Sequence, residues 1–352
     1  MNPDVEQILE AAIRAPSGEN SQPWRFIVRG MVIELWCVPN RDRSPYNWSQ
    51  RGSFMALGAA LENVAITARS LGYEAAITYM PSAPEHVATV TLSKSSMAGD
   101  PLAAAIERRV SNRKPYKAEA LSENEISALK DAAQQAGYGS LVLIEDRDSI
   151  KKLAAIGSLN ERIMLSNDSL HSFFFSHVSW TKAEDDAKKI GFYIETLELP
   201  PPARVVFRIL RLPRAIRILR ALRFPRLVAL QNASVYAAAG AIGVIIGEGT
   251  SPLDFVKAGR LLERVWLTAT SLKLNMQPLA GALFLALAVR AGEKGDLLSS
   301  DAVDLAKAYD ELQTTVPTTN PVLFMFRIGH GDPPSARSSR FPLSDSVEIG
   351  SV

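Results

Sequence analysis

The chain has 352 residues, of which 47% are hydrophobic, and it carries a formal net charge of +2 with one cysteine, Cys37. A chain of this length and hydrophobicity can bury a full core, which excludes an intrinsically disordered protein. The small net charge gives no reason to expect nucleic acid as a partner, and a single cysteine excludes an intramolecular disulfide and cysteine-rich metal sites. Because the first residues also lack the basic and apolar regions of a secretory signal, we expect a cytoplasmic protein.

Helix-like and strand-like segments alternate along the first third of the chain, which predicts a mixed α and β fold. Residues 5–15 repeat apolar side chains with the period of one helical face and end at Pro16, where a loop of residues 16–24 begins. The content of β-branched and aromatic residues predicts strands at 25–28, 32–38, 73–79 and 86–92, around a long apolar helix at 58–71.

An internal match indicates that the chain is duplicated. Residues 58–71 and 259–272 agree at eight of fourteen positions without a gap, including Glu62 with Glu263 and Thr67 with Thr268. The alternative is a chance similarity between two helices rich in alanine and leucine, but agreement at charged and hydroxyl positions favours duplication. Two copies in one chain predict a built-in dimer with these helices at its centre. The predicted domains are a first half at 1–105, a second half at 106–196 with 248–345, and an insertion at 197–247.

The insertion is rich in arginine and poor in acidic residues. No acidic residue lies between Glu198 and Glu248, and prolines at 213 and 225 divide the segment into short basic amphipathic helices. Its arginines recur every three or four residues, at Arg204, Arg208, Arg211, Arg214, Arg217, Arg220, Arg223 and Arg226. Three interpretations are open for this segment. The sequence favours a solvated helix face most, then a lid above an anionic ligand, and least an attachment to an anionic lipid surface. The uncharged stretch 227–247 is long enough to cross a bilayer, but its polar interruptions predict a buried helix followed by a strand.

One segment between the halves has the residues needed to bind a phosphate. In an extended backbone, alternate side chains point the same way, so Arg109, Ser111 and Arg113 can converge on one phosphate group. This pattern is common by chance, and it therefore needs a second signal.

The second signal is a resemblance to nitroreductase-family flavoproteins. The segment A-P-S-G-E-N-S-Q-P-W-R-F at 15–26 resembles the loop that this family places over its flavin. The segment R-V-S-N-R at 109–113 resembles the family's phosphate-binding entrance. The segment R-S-S-R-F-P at 337–342 resembles the basic turn that closes the family's phosphate site. The resemblance implies an α+β, FMN-dependent fold. It also implies phosphate and ribityl contacts from Arg109, Ser111, Arg113, Arg340 and, less directly, Arg337, and ring contacts from Pro16, Ser17, Gly18, Asn20 and Gln22.

The order of these motifs resembles that of the duplicated, single-chain Acg-like and ThiF-associated nitroreductase-related proteins. The first half supplies the loop at 16–24 and the second half supplies residues 109–113 and Arg340, so one complete FMN site is expected. The other site lacks both an R-x-S-x-R motif and the loop, since A-G-Y-G-S at 136–140 stands in the loop's place. The resemblance also implies that the insertion forms a helical lid, and that the chain is a pseudo-dimeric monomer or assembles further as a homodimer.

The implied activity is transfer of hydride from NADH or NADPH to a nitroaromatic, quinone or similar small acceptor. No catalytic side chain is expected, because the flavin carries the chemistry and the protein supplies position and electrostatics. The alternative is a non-enzymatic FMN-binding or storage protein whose lid excludes substrates.

Other sites have less support in the sequence. The four histidines show no metal spacing, and the chain contains neither G-x-S-x-G nor G-x-G-x-x-G, so a metal site, a hydrolase elbow and a Rossmann site are not expected. Trp24 and Trp266 could stack on a flavin, but large aromatic residues more often belong to the core.

Overall fold

The computed structural model describes residues 1–80, 82–83 and 85–350, and its architecture confirms the predicted α+β class. The helices are α1 (Pro3–Ala12), α2 (Arg51–Ser70), α3 (Ala103–Ile106), α4 (Glu123–Gln135), α5 (Arg147–Ser166), α6 (Asp168–Ser176), α7 (Lys182–Lys188), α8 (Pro201–Leu210), α9 (Pro213–Ala221), α10 (Phe224–Ala237), α11 (Pro252–Ser271), α12 (Gly281–Arg290) and α13 (Ser299–Thr315). The strands are β1 (Trp24–Arg29), β2 (Val32–Cys37), β3 (Tyr73–Tyr79), β4 (His86–Lys94), β5 (Ser140–Ile144), β6 (Val178–Ser179), β7 (Phe192–Tyr193), β8 (Ala241–Ile246), β9 (Asn275–Pro278), β10 (Val322–Gly329) and β11 (Val347–Ile349).

Local sequence signals explain where several helices begin. The Asn2 side chain accepts a hydrogen bond from the Asp4 amide at the start of α1. Ser122 before α4 and Ser251 before α11 each form a capping box with an acidic residue three positions later. In the insertion, prolines stand in the first turns of α8, α9 and α10, where a missing amide proton removes no helical hydrogen bond.

Two larger sheets flank a central pair of helices. The first sheet has the order β11-β1-β2-β4-β3 and the second has the order β5-β8-β10-β9, while β6 and β7 form a small parallel pair. The second sheet is antiparallel throughout, whereas in the first only the β1–β11 pair is parallel. Strand β11 therefore brings the C-terminal segment of the chain into the sheet formed by the N-terminal third.

The central helices α2 and α11 approach each other through a reciprocal pair of glycines. A Cβ atom on Gly58 would lie 1.9 Å from the carbonyl oxygen of Val256, and a Cβ atom on Gly259 would lie 2.0 Å from the carbonyl oxygen of Met55. Gly58 and Gly259 are matched positions of the repeated segment, and the two residues that they contact each lie three positions earlier in their helices. The helices thus pack through the same contact twice, in the manner expected at a twofold axis.

The structure corrects two of the predicted boundaries. The insertion was expected to extend to residue 247, but β8 (Ala241–Ile246) is fully buried and pairs with β5 and β10, so it belongs to the second sheet. The second half was expected to end at residue 345, but β11 follows this residue and pairs with β1. The uncharged stretch 227–247 is a helix followed by a buried strand, but the predicted burial of the helix is only partly correct, since Leu227 and Leu230 are exposed. No helix in the described part of the chain meets the length and hydropathy needed to cross a membrane.

Candidate functional site

The three motifs singled out in the sequence line one cavity of about 1230 Å³. The loop follows α1 in the N-terminal half, whereas the segment at 109–113 follows α3 and the turn at 337–342 precedes β11. Nine of the ten predicted site residues line this cavity, namely Pro16, Ser17, Gly18, Asn20, Arg109, Ser111, Arg113, Arg337 and Arg340.

The tenth residue, Gln22, is fully buried and lies beneath the loop rather than on the cavity wall. Its Nε2 atom donates to the Lys189 carbonyl oxygen at 2.7 Å, and its Oε1 atom accepts from the Phe341 amide at 2.9 Å. The expected ring contact is therefore corrected to a supporting role. Gln22 fixes the loop to the turn after α7 and to the C-terminal segment.

The rest of the loop is held in an uncommon backbone conformation. Glu19 and Asn20 both have positive φ angles, of 49° and 56°. Asn20 donates from Nδ2 to the Lys189 carbonyl oxygen at 3.1 Å and to the Ser339 carbonyl oxygen at 2.8 Å, while the Gly191 amide donates to the Glu19 carbonyl oxygen at 2.7 Å. Because left-handed conformations cost free energy in residues other than glycine, these contacts have to maintain the loop.

At one end of the cavity, guanidinium groups lie close together without full compensation. Arg340 is held against the loop, since its Nη1 atom donates to the carbonyl oxygens of Ile13 at 2.8 Å and Ala15 at 2.7 Å. Burial, together with the neighbouring charges of Arg109 and Arg14, lowers the pKa of Arg340 to about 9. We call this group the arginine cluster; it consists of Arg14, Arg109, Arg337 and Arg340.

Two carboxylates face the arginine cluster. Arg109 Nε lies 3.2 Å from Glu263 Oε1, and Arg14 Nε lies 2.9 Å from Glu107 Oε2. Within the described residues, neither Arg109 Nε nor either oxygen of Glu263 has a hydrogen-bond partner. Four cations against two anions leave an excess of two positive charges, which matches the charge of a phosphate monoester dianion.

Arg113 lines another part of the same cavity. Its Nη1 atom donates to the Thr196 carbonyl oxygen at 3.1 Å, and its guanidinium carbon lies 5.3 Å from the centre of the Phe192 ring. Burial lowers the pKa of Arg113, and its charged neighbours are Arg327 and Glu198 rather than the arginine cluster. The structure therefore gives Arg109 and Arg113 different surroundings, whereas the extended-strand argument expected both at one phosphate.

The matched glutamate of the other repeat has a different environment. Glu62 receives hydrogen bonds from Arg260 Nε at 2.8 Å and from Arg264 Nε at 2.5 Å, and Arg264 also donates to Asp100 at 3.0 Å. Glu62 is thus compensated by two arginine side chains, whereas Glu263 lies against Arg109 of the arginine cluster. The A-G-Y-G-S segment at 136–140 forms the turn between α4 and β5 and does not line the cavity.

Sequence analysis missed two carboxyl groups on the cavity wall. Burial raises the pKa of Glu161 to about 7, and Tyr236 donates its hydroxyl proton to Glu161 Oε1 at 2.8 Å. Burial and the nearby Asp42 raise the pKa of Glu19 to about 8. Glu161 belongs to no recognisable motif, and Glu19 lies within the loop motif but was not singled out, because the burial of both carboxyl groups depends on elements distant in sequence. Titratable groups with raised pKa values in a cavity are candidates for proton transfer or ligand contact.

The insertion covers this cavity and is fastened to the second half. Residues from α8 and α10, among them Phe207, line the cavity together with the loop and the C-terminal turn. Arg204 donates to Glu195 at 2.7 Å, Arg220 donates to the Leu165 carbonyl oxygen at 2.6 Å and to Asp168, and His171 Nε2 lies 2.9 Å from the Leu210 carbonyl oxygen. These contacts hold α8 and α9 against the second half.

The remaining residues that the sequence singled out have structural environments. Trp24, the first residue of β1, is fully buried in the core, whereas Trp266 lines the cavity with the Arg109 guanidinium 4.7 Å from its ring centre. His86 stacks on Trp36, and His330 lies 3.0 Å from Glu125. In the part of the chain that the structure describes, no three His, Cys, Asp or Glu side chains are grouped as metal ligands would be.

Comparisons with known proteins show similarity to one family. The model of the nitroreductase family matches residues 2–30, which include the loop at the cavity. An uncharacterized protein of Mycobacterium tuberculosis is 27% identical over 346 residues, covering 96% of this chain and 47% of that protein. The chain is thus similar to nitroreductase-family proteins. Its α+β architecture agrees with the nitroreductase-like fold that the motifs predicted.

Two further nitroreductase-family relatives of M. tuberculosis carry functional names. One, provisionally named an NAD(P)H nitroreductase, is 29% identical over 43% of this chain and 44% of its own length. Another, provisionally named the NAD(P)H nitroreductase acg, is 28% identical over 53% of this chain and 56% of its own length. The chain therefore spans about half the length of the curated relatives that it matches.

Among solved structures, an FMN-bound nitroreductase from Desulfitobacterium hafniense is 15% identical and covers 71% of this chain and 97% of its own. The TM-score of 0.37 is too low for this likeness to support a conclusion of its own.

Proposed function

We propose that the protein binds FMN in this cavity and transfers hydride from NADH or NADPH to a nitroaromatic, quinone or similar small acceptor. The observation that supports it most is the arginine cluster, whose excess of two positive charges lies at one end of a large cavity. The names of the M. tuberculosis relatives support NAD(P)H as the reductant.

The residues present fit the cofactor. Arg109, Arg337 and Arg340 would hold the phosphate, because an anion at that point would compensate the low-pKa guanidinium of Arg340 and provide a partner for Arg109 Nε. Ser111 follows Arg109 on the wall and would contact the ribityl chain. The cavity of about 1230 Å³ is larger than the roughly 300–1000 Å³ typical of a site for one small ligand, so it has room for an acceptor beside the cofactor.

The remaining cavity residues would position the ring and exclude water. When bound, FMN supplies the hydride-accepting and hydride-donating chemistry. Pro16, Ser17 and Gly18 would lie against the ring, with Asn20 holding the loop through its two carbonyl contacts. Arg113 would place a positive charge near the end of the cofactor away from the phosphate, where it would stabilise negative charge that develops on reduction. No side chain is proposed to form a covalent bond.

We also propose that the chain is a fused pseudo-dimer with one such site, and that the insertion is its lid. The reciprocal glycine contacts of α2 and α11 support the duplication. The different environments of Glu62 and Glu263 support a single site, because only Glu263 faces an uncompensated group of arginines.

The test is a measurement of flavin content and reduction. The purified, reconstituted chain should hold about one FMN, which NADPH or NADH should bleach in the absence of oxygen. About two FMN per chain would contradict the single site, and no bound flavin after reconstitution would contradict the cofactor assignment. The double variant Arg109→Ala/Arg113→Ala should lose flavin, whereas Lys130→Ala/Lys152→Ala, on exposed helix surfaces, should retain it.

A second candidate is an FMN-binding or storage protein without turnover. The contacts of Arg204, Arg220 and His171 support it, because they fasten the insertion over the cavity and would restrict access of a nicotinamide or an acceptor. The variant Arg204→Gln/Arg220→Gln removes the ionic contacts of the lid and distinguishes the two functions. If the wild type is a reductase, its flavin should bleach with NAD(P)H without this change. A storage protein should stay oxidised as wild type and bleach only when the lid is loosened.

A further inference from the structure

The outer surface of the insertion is unusually apolar. Eight of the thirteen large hydrophobic side chains that are exposed in the described part of the chain lie in α8, α9, α10 and their connections, with 41–69% of their surface accessible. They are all aliphatic: Val205, Val206, Ile209, Leu212, Ile218, Leu222, Leu227 and Leu230. Contiguous exposed apolar patches of this kind mark interaction sites rather than ordinary solvated surface.

The same surface is strongly basic. Arg204 and Arg220 form ion pairs with Glu195 and Asp168, but none of the other six arginines of the insertion forms an ion pair with a described residue. Those six are exposed, at positions 208, 211, 214, 217, 223 and 226. Because the whole chain has a formal charge of +2 and residues 199–247 contribute +8, the remainder of the chain has −6. Positive charge is therefore concentrated on one side of the molecule.

The two properties together identify the chemistry of the partner. The interpretation as a solvated helix face requires arginine side chains to cover the aliphatic groups, but those groups remain open to solvent. Single-stranded nucleic acid would favour exposed aromatic rings for base stacking, and every large hydrophobic residue exposed on the insertion is aliphatic. Aliphatic side chains surrounded by unpaired arginines match the boundary between the acyl chains and the headgroups of an anionic bilayer.

We propose that α8, α9 and α10 dock on the surface of an anionic lipid bilayer. The inner sides of these helices are already engaged, since Leu210, Ile216 and Ala229 are buried against the protein. Docking therefore needs no unfolding of the insertion. The outer aliphatic side chains enter the interface while the arginines contact lipid phosphates.

Docking also has a consequence for the acceptor, and this consequence rests on the proposed reductase function. Val206 and Leu227 belong to the exposed aliphatic surface and also line the cavity. The docking surface is therefore continuous with an edge of the cavity. A lipid-soluble quinone is the acceptor class that can pass along this edge from the bilayer.

The docking test is co-sedimentation of the flavin-loaded chain with vesicles of phosphatidylcholine containing about one third phosphatidylglycerol, compared with pure phosphatidylcholine. We expect binding to the anionic vesicles that weakens with added salt. Since each arginine near an anionic surface contributes about 1 kcal/mol, or about fivefold, to binding, Arg208→Gln/Arg214→Gln/Arg226→Gln should weaken it by about 100-fold. The matched control, Lys130→Gln/Lys152→Gln/Lys307→Gln, removes three exposed charges from other helices and should change binding by less than about threefold.

A second pair of variants tests the aliphatic contribution. Ile218→Ser/Leu222→Ser should weaken binding at least about tenfold, while Leu298→Ser/Val303→Ser, at similarly exposed positions of α13, should not. Retained flavin content would show that each variant is folded. No sedimentation with anionic vesicles at low salt would overturn the proposal. A second result would also overturn it: a wild-type protein that forms a dimer and does not bind lipid, together with an Ile218→Ser/Leu222→Ser variant that is a monomer.

The acceptor is tested separately, by the rate of reduction of a long-chain naphthoquinone embedded in each type of vesicle. Wild type should reduce it several-fold faster in anionic vesicles, and the triple arginine variant should lose that advantage while reducing a water-soluble quinone normally. Equal rates in both vesicles despite co-sedimentation would contradict delivery from the bilayer. Failure to reduce the soluble quinone would instead contradict the proposed reductase function.

Discussion

Replacing Arg109 should separate the stability of the protein from its affinity for FMN. Arg109 is buried and faces Glu263 at 3.2 Å, so Arg109→Gln leaves a buried carboxylate without its cation. Breaking a buried ion pair from one side typically costs about 3–5 kcal/mol in the free energy of unfolding. Arg109→Gln/Glu263→Gln removes both charges and should recover most of that loss. Both variants should bind FMN about 10–100-fold more weakly, because a charged hydrogen bond contributes about 1.5–3 kcal/mol.

The destabilisation of Arg109→Gln should depend on pH. Burial raises the pKa of Glu263, and the charge of Arg109 opposes that shift. Without Arg109, the pKa of Glu263 in the folded protein rises further above its unfolded value of about 4.3. The folded state then keeps a proton that the unfolded state releases, so the stability of the variant falls as pH rises above the unfolded pKa. The deficit relative to wild type should be small near pH 4 and largest above pH 7.

These quantities can be measured on flavin-free protein. Denaturant unfolding followed by tryptophan fluorescence gives the stability at each pH, and quenching of flavin fluorescence gives the affinity for FMN. Arg69→Gln in α2 is the control, since Arg69 is exposed and distant from the cluster. Wild-type affinity in the double variant would refute the assignment of Arg109 to the phosphate. A deficit that is equal at all pH values would refute the role of Glu263.

Three other predictions concern the central helices, the cavity carboxyl and the second repeat. Gly58→Ala and Gly259→Ala should each lower the free energy of unfolding by about 3 kcal/mol, because a Cβ atom would overlap the backbone of the opposite helix. The control Gly99→Ala should change the free energy of unfolding little, and unequal losses in the first two variants would argue against the repeated contact. Glu161→Gln should stabilise flavin-free protein by about 2 kcal/mol at pH 8 and hardly at pH 4, since the raised pKa of about 7 makes ionisation of Glu161 costly only at the higher pH. Glu62→Gln should lower the free energy of unfolding by about 2–3 kcal/mol, because Glu62 loses its ion pairs, but the variant should still hold one FMN per chain. A reduced flavin content would instead indicate that Glu62 belongs to a flavin site.

The sequence was sufficient to select segments that the fold brings to one cavity, where their spacing is local. The loop around Asn20 and the segment from Arg109 to Arg113 have fixed spacings, and both line the cavity. Gln22 belongs to the same motif, yet it is buried away from the cavity wall, and the backbone is left-handed at Glu19, Asn20 and Gln22 itself. A motif gives residue types and spacing, but the direction of a side chain in such a loop depends on the contacts that hold the backbone.

Features made by distant contacts could not be predicted in the same way. Strand β11 has only three residues, and its pairing with β1 joins opposite ends of the chain. Glu161 occupies an ordinary position in α5, and its raised pKa comes from burial by other elements. The arginine pattern ends at Arg226, whereas the insertion ends only where the backbone enters β8. Charge pattern therefore indicated the character of the insertion but not its boundary.

The asymmetry of the two repeats is best explained by residues that differ between matched positions. Arg264 stands at the position that matches Asn63, and its guanidinium closes the region around Glu62 by binding both Glu62 and Asp100. In a homodimer the same residue would stand at both positions, so an arginine there would close both sites. Under the duplication that we propose, each repeat can change alone. The charge of Glu62 can then be balanced by arginine side chains of the protein, which stabilises the fold. Glu263 remains beside an arginine cluster whose excess positive charge a phosphate would neutralise.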